Sequence, residues 1–250
     1  MWTYLFYIIL GFLPSFIWLL FYLRKDSHPE PNSQVLKIFI WGMLIAPLAV
    51  LLQFGLIWLT KPSFDIKIIF SLFSHLGGTW RGFLVLIIFA PLVEEYLKYA
   101  IVKEKILKSK DFDEPLDVML YLIIGALGFA AVENLIVILK TPLMPISQAL
   151  STISLRFIGA TFLHALASGI VGYFLAKSFL ETKKRFPLII HGLVLAIIFH
   201  SSYNYLINLL DQNYSLITVL LIIGLLASAA IFVSISFKKL KEQLSICKIR

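Results

Sequence analysis

The chain has 250 residues, of which 60% are apolar, with a mean hydropathy of +0.91 and a formal net charge of +8. So little polar surface cannot wrap so large an apolar fraction in water, which excludes a soluble globular protein and leaves a polytopic membrane protein. The basic excess does not indicate nucleic-acid binding either, because it alternates with the connections between apolar runs instead of gathering on one segment.

Apolar runs of about 18 residues or more can cross a bilayer as helices. Seven spans are predicted, near Trp2 to Leu23, Val35 to Leu59, Trp80 to Val102, Asp117 to Leu139, Ile153 to Leu180, Pro187 to Ile207 and Ser215 to Phe237. The fold class expected is therefore all-α, a transmembrane helical bundle forming a single integral membrane domain over residues 1–250.

The first span starts at Trp2 without a basic leader or a small-residue cleavage site, so it reads as a retained anchor. Arg24, Lys25 and Lys37 surround the first connection, and Lys103, Lys105, Lys108 and Lys110 follow the third span. Lys177, Lys183, Lys184 and Arg185 border the fifth, and Lys238, Lys239, Lys241, Lys248 and Arg250 lie in the tail. The opposite connections hold only Lys61, Lys67, Arg81, Lys140 and Arg156. The positive-inside rule then places the N-terminus outside and the C-terminus in the cytoplasm. Between the second and third spans, residues 63–76 repeat apolar side chains at helical spacing, which suits an interfacial amphipathic helix ending at His75. Cys247 is a lone cysteine in the tail, so an intrachain disulfide and thiol catalysis at membrane depth are both excluded.

The third span carries Glu94 and Glu95, with Lys98 one helical turn later, inside an otherwise apolar run. Charges at that depth are costly and mark a functional site by default. Pro91 lacks a backbone N–H and clashes with the carbonyl of Ile87, which predicts a kink just before the acids. The fourth span places Glu133 and Asn134 in a second apolar helix, with Gly125 and Gly128 one to two turns earlier as sites of close helix approach. Arg156, at the outer start of the fifth span, is the partner expected for Glu133. The fifth span also carries His164, and the sixth carries His200 and Asn204 on one helical face. His191, near the cytoplasmic end of the sixth span, reads as a positional residue.

At about 1.5 Å of rise per residue, Glu94 lies roughly 16 to 20 Å from the outer end of its span and His164 roughly 12 to 16 Å from that of the fifth. His200 lies roughly 18 to 20 Å above the cytoplasmic surface of an apolar layer about 30 Å thick. The three converge between the midplane and the outer leaflet.

The combination Glu94-Glu95-x-x-Lys98, Asp113-x-Pro-x-Asp117 leading to Gly128-Phe-Ala-x-x-Glu133-Asn134, His164-x-x-x-Ser168-Gly169 and His200-x-x-x-Asn204 resembles the PrsW family of intramembrane proteases. The resemblance covers about residues 80–210, taken as the protease core, and the family is related to the CAAX prenyl-protease and bacteriocin-processing superfamily. It implies an endopeptidase of the bacterial cell membrane that acts on single-pass membrane proteins, of the kind that makes the first, extracytoplasmic cut of an anti-sigma factor in a stress response. Asp111 to Asp117 departs from many relatives in carrying Glu114 and Leu116.

Peptide hydrolysis needs an activated water, a proton donor for the leaving amine and a stabilised oxyanion. Glu94 or Glu95 with His164 is expected to activate water, His200 and Asn204 to stabilise the tetrahedral intermediate, and Lys98, Glu133, Asn134 and Arg156 to support them. No cofactor is required in that scheme. A zinc version uses Glu95, His164 and His200 as ligands, although no His-Glu-x-x-His helix is present. Three other readings remain: a CAAX-type prenyl-protein protease, a proton- or ion-coupled transporter, and a silent membrane binding or immunity protein. The expected partners are the lipid bilayer and a single-pass substrate, with no nucleic acid.

Overall fold

The protein is described from a computed structural model covering residues 2–26, 28–60, 84–107, 109, 112–139 and 145–243. The long helices are α1 (Trp2–Leu23), α2 (Asn32–Thr60), α3 (Ala90–Lys105), α4 (Pro115–Leu139), α5 (Ile146–Ile158), α6 (Ala160–Leu180), α7 (Arg185–Gln212) and α8 (Leu216–Lys241). Six stretches are long and apolar enough to cross a membrane: α1, α2, α4, α5 with α6, α7 and α8. The segment ending in α3 corresponds to the third predicted crossing; α3 itself has 16 residues and carries Glu94, Glu95 and Lys98 within its length. The amphipathic helix expected at residues 63–76, and His75 with it, lie outside the described residues.

Helix α4 is the axis of the bundle. It is apolar all round, which suits a helix surrounded by protein and not by lipid. From Pro115 to Ala131 every residue is buried. It packs against α1, α2 and α6, and α6 packs in turn against α7 and α8. The α2–α4 contact is close enough to involve backbone. A Cβ on Gly42 would run into the carbonyl of Gly125, and one on Gly128 into the carbonyl of Phe39. Small residues permit such contact where apolar side chains gain nothing by leaving lipid.

The start of α4 is tied down by the Asp113-to-Asp117 stretch. The Asp117 carboxylate accepts the backbone N–H groups of Asp113 at 3.0 Å and Glu114 at 2.7 Å. The Tyr121 hydroxyl donates to Glu30 at 2.5 Å, and His28 contacts Glu114 at 2.8 Å, so the α1–α2 connection is fastened to the same end. These acids cap and anchor a helix whose first N–H groups have no partner within the helix.

Two of the predicted spans change form. Before α3, residues Val85–Phe89 make a π-helical turn in which the N–H of Ala90 bonds the carbonyl of Val85. Pro91 sits at the start of α3, so its missing N–H and its ring are accommodated by widening the preceding turn. The fifth span is not one helix from Ile153. It begins at Ile146 and breaks at Gly159, where φ is −103° and ψ −97°. The indole of Trp18 donates to the carbonyl of Phe157 at 2.9 Å and stacks on Phe162 with centroids 4.3 Å apart, filling the inside of the break. The Tyr203 hydroxyl lies where a Cβ of residue 159 would stand, which explains a glycine there.

Replacing Gly128 by valine should lower the melting temperature of the detergent-solubilised protein, at a cost of about 1–3 kcal/mol for overpacking. Gly224→Val, at a position with nothing within 4 Å of its would-be Cβ, should leave it unchanged. Circular dichroism melts of the two variants side by side check this.

Candidate active site

Helices α3, α4, α6 and α7 bring the motif residues to one place. Glu94, Glu95, Lys98, Asn134, His164 and His200 are all buried, and Glu133 is partly so. The connections among them form two chains that meet at Lys98.

The first chain fixes the pair Glu95 and His200. The ammonium of Lys98 donates to Glu95 Oε1 at 2.8 Å, and Nδ1 of His200 contacts the same oxygen at 2.9 Å. A carboxylate only accepts, so Nδ1 carries the proton and Nε2 of His200 presents a lone pair. That Nε2 faces Glu94 Oε2 at 3.9 Å. Glu94 Oε1 accepts from Nε2 of Gln53 on α2 at 3.1 Å, whereas Glu94 Oε2 is buried without a hydrogen-bond partner.

The second chain runs from Lys98 to α5. Lys98 also lies 2.8 Å from Nδ1 of His164 and 4.6 Å from the ring centre of Phe129. An ammonium only donates, so Nδ1 of His164 accepts and Nε2 carries its proton toward Glu133, 2.8 Å away. Arg156 lies 3.1 Å from the same Glu133 oxygen and donates through Nε to Asn134 at 2.5 Å. Asn134 completes the series by donating to Thr161 at 3.1 Å. The helix break at Gly159 aims Arg156 back onto α4, and the predicted Glu133–Arg156 pair is present. The rings of His164 and His200 meet edge to face, 5.1 Å between centroids.

A cavity of about 1740 Å³ adjoins this cluster, and Glu94, Glu133, His164, His200 and Asn204 all line it. Glu95 and Lys98 do not; they sit behind Glu94 and His200. His191 stands apart, exposed and stacked on Phe174. Gln53, Thr161 and Tyr203 were not anticipated from the sequence, and Phe129 entered it only as a motif position without a role. Gln53 had a usable signal, being a lone amide in the apolar α2 run, the same kind of signal that singles out Glu133.

The predicted zinc set needs one substitution. The carboxylate whose ligand atom falls within 4.8 Å of both histidines' is Glu94, while Glu95 is engaged by Lys98 and His200. The donor types fit a divalent ion: two imidazoles and a carboxylate, with His200 oriented by Glu95 through its other nitrogen. The unpartnered Oε2 of Glu94 and the 3.9 Å gap to His200 suit ligand distances of about 2.0–2.2 Å. His164 would join such a set through Nδ1 by giving up Lys98 and keeping Glu133, or through Nε2 by giving up both.

Acids, a lysine and imidazoles held together inside apolar helices beside a large cavity define an enzyme that works within the bilayer. The comparisons give its class. The profile of the PrsW family intramembrane metalloproteases matches residues 30–234, and the chain belongs to that family. It is an intramembrane peptidase and a multi-pass integral membrane protein.

Among curated proteins it is similar to Protease PrsW of Geobacillus kaustophilus, 28% identical over 75% of this chain and 72% of the relative. Protease PrsW of Clostridioides difficile is 25% identical over 87% and 85%, and that of Bacillus subtilis 26% identical over 77% and 78%. No solved structure matches the chain.

Removing one member of a buried ion pair leaves the other uncompensated, at a cost of about 3–5 kcal/mol. Lys98→Met and Glu95→Gln should therefore each destabilise the detergent-solubilised protein strongly, while the double variant recovers part of the loss. Glu94→Gln, which keeps the bond from Gln53 possible, should melt near the parent. Thermal melts of the four proteins measure the coupling.

Proposed function

We propose that the chain hydrolyses peptide bonds of membrane-anchored proteins near the extracytoplasmic end of their spanning segment, with Glu94 as the group that activates water. The observation that carries the assignment is the division of labour between adjacent acids. Glu94 lines the cavity with its Oε2 facing Nε2 of His200, whereas Glu95 does not line it and has Oε1 held by Lys98 and His200; the Oε2 of each acid lacks a hydrogen bond, so access to the cavity is what separates them.

Glu94 takes the proton of the attacking water and passes it to the leaving amine, as one carboxylate acting as base and then acid. Glu95 holds His200 in the tautomer whose Nε2 faces Glu94. Glu133 holds His164 by its Nε2 proton, so that both rings line the cavity in defined orientations. Asn204 lies one turn beyond His200 on the cavity wall, and its amide is the donor we assign to the oxyanion. Glu94, His164 and His200 would hold a zinc ion if one is bound. The ion would supply Lewis-acid polarisation of the scissile carbonyl and lower the pKa of water.

The charge bias of the connections supports the extracytoplasmic side. It disfavours the CAAX-type alternative, which calls for a cytoplasm-facing site. The substrate we infer is a single-pass regulator of the anti-sigma-factor kind, on the strength of the family resemblance.

Co-expression with tagged single-pass proteins from the same cell tests the reading. A fragment should appear with the parent and vanish with Glu94→Gln at equal expression, and its mass should place the cut toward the outer end of the span. If no fragment depends on Glu94 while the variant is folded, the assignment is wrong.

Metal content provides a separate check. Purified parent protein should retain about one zinc per chain by plasma mass spectrometry if the ion belongs to the site, and both Glu94→Gln and His200→Ala should lose it. Equal metal in all three would remove the ion from the site.

A further inference from the structure

The cavity continues well past the catalytic cluster, and the exposure of its lining shows where it reaches the surface. On the α2 and α3 side, Ala46, Ile87, Ala90 and Glu94 are buried and Val50 and Gln53 partly so. The lining residues that are also exposed belong to other elements. Leu155 and Ile158 of α5 are 68% and 59% exposed, and Ile223 of α8 is 56% exposed. Asp211, Gln212 and Tyr214, at the α7–α8 turn, line the same cavity and are exposed as well. Among the described residues, the cavity therefore opens between α5 and the first half of α8, and its rim is apolar except at the helix ends.

Depth separates a lipid-facing mouth from a water-facing one. Leu155 lies nine residues into α5 and Ile223 seven into α8, roughly 14 and 10 Å from the start of their helices. Those helix starts lie on the face where α7 ends at Gln212, and His200 is about 18 Å from that end. The mouth is thus at the level of lipid chains, on the path from the face to the cluster. Small-molecule pockets occupy about 300–1,000 Å³. At about 1740 Å³ this cavity is sized for a stretch of polypeptide.

We propose that this opening is the substrate entrance: the apolar spanning segment of a single-pass protein enters sideways from the lipid between α5 and α8. It rests on the proposed function above and adds the route to the site. The segment lies against Leu155, Ile158 and Ile223, and its outer flank leaves by the polar end at Asp211 and Gln212. An apolar rim costs nothing to expose to lipid, so the mouth can stand open between substrates. Once a peptide unwinds to present a bond to Glu94, its freed backbone groups meet the polar atoms of the cavity and not hydrocarbon. The break at Gly159 shapes one jamb, because it turns α5 away from the line of α6 and brings Leu155 and Ile158 to the rim.

Site-directed photocross-linking tests the route. Benzoyl-phenylalanine is placed singly at Leu155, Ile158 or Ile223, and at Leu13 and Leu48 as exposed positions that do not line the cavity. The substrate is one whose cleavage depends on Glu94, the background is Glu94→Gln so that it remains intact, and each variant is melted in detergent to confirm folding.

Adducts at least fivefold more abundant at the three mouth positions than at Leu13 and Leu48 support the entrance. Equal or greater yield at Leu13 or Leu48 overturns it. So do adducts at the mouth only with residues 61–83, with a second copy of the chain or with lipid. If no substrate shows Glu94-dependent cleavage, the proposed function fails first and the entrance falls with it.

Discussion

The ammonium of Lys98, 2% exposed inside an apolar bundle, is the constraint around which the site is built. A charge removed from water to that extent persists only with a counter-charge and full hydrogen bonding. Glu95 and His164 supply these at 2.8 Å each, and the face of Phe129 adds a cation–π contact. Everything else about the cluster follows from where those three partners stand. Glu95 is committed, so it orients His200; His164 must accept at Nδ1, so it turns its proton to Glu133; and Glu133 then recruits Arg156. On the cavity side this leaves Glu94 Oε2 and His200 Nε2 facing each other, while the second oxygen of Glu95 is buried behind them without a partner.

The pair of adjacent glutamates illustrates how a helix turns sequence neighbours into opposite roles. Consecutive side chains point about 100° apart at 3.6 residues per turn. Lys98 is within reach of both acids, at i+3 from Glu95 and i+4 from Glu94, yet it pairs with Glu95, and Glu94 bonds Gln53 and lines the cavity. The two carboxylates meet opposite nitrogens of the same ring, that of His200, with different partners on their other sides. One sits behind the cavity wall and the other on it.

The break at Gly159 serves the same end. A straight fifth span would carry Arg156 along its own axis, whereas the kinked one lays it over Glu133 and Asn134. The kink is held by Trp18 from α1 and bounded by the Tyr203 hydroxyl from α7. Three distant parts of the chain thus meet to hold one guanidinium in place. Isolated polar groups in a bundle otherwise held by van der Waals packing are positioned this way because each leaves a neighbour unsatisfied if it moves.

The sequence by itself determined the class of structure and the cast of the site. Apolar run length sets the number of crossings, because helix rise and bilayer thickness are fixed quantities, and α1 coincides with its predicted range. The cost of charge in hydrocarbon singles out Glu94, Glu95, Lys98, Glu133, His164 and His200, all of which meet at the cluster. Small residues at Gly125 and Gly128 marked α4 for close helix approach, and the structure supplies α2 as the partner.

Tertiary structure decided the rest. That Glu94 and not Glu95 faces the cavity depends on the rotation of α3 against α2 and α7, which uniform hydrophobicity around neighbouring helices leaves unspecified. The part of Gln53 depends on α2 lying beside α3, and the break at Gly159 on Trp18 and Tyr203 reaching it across the bundle. Periodicity and hydropathy report what a segment buries, and they carry no information on which partner it is buried against.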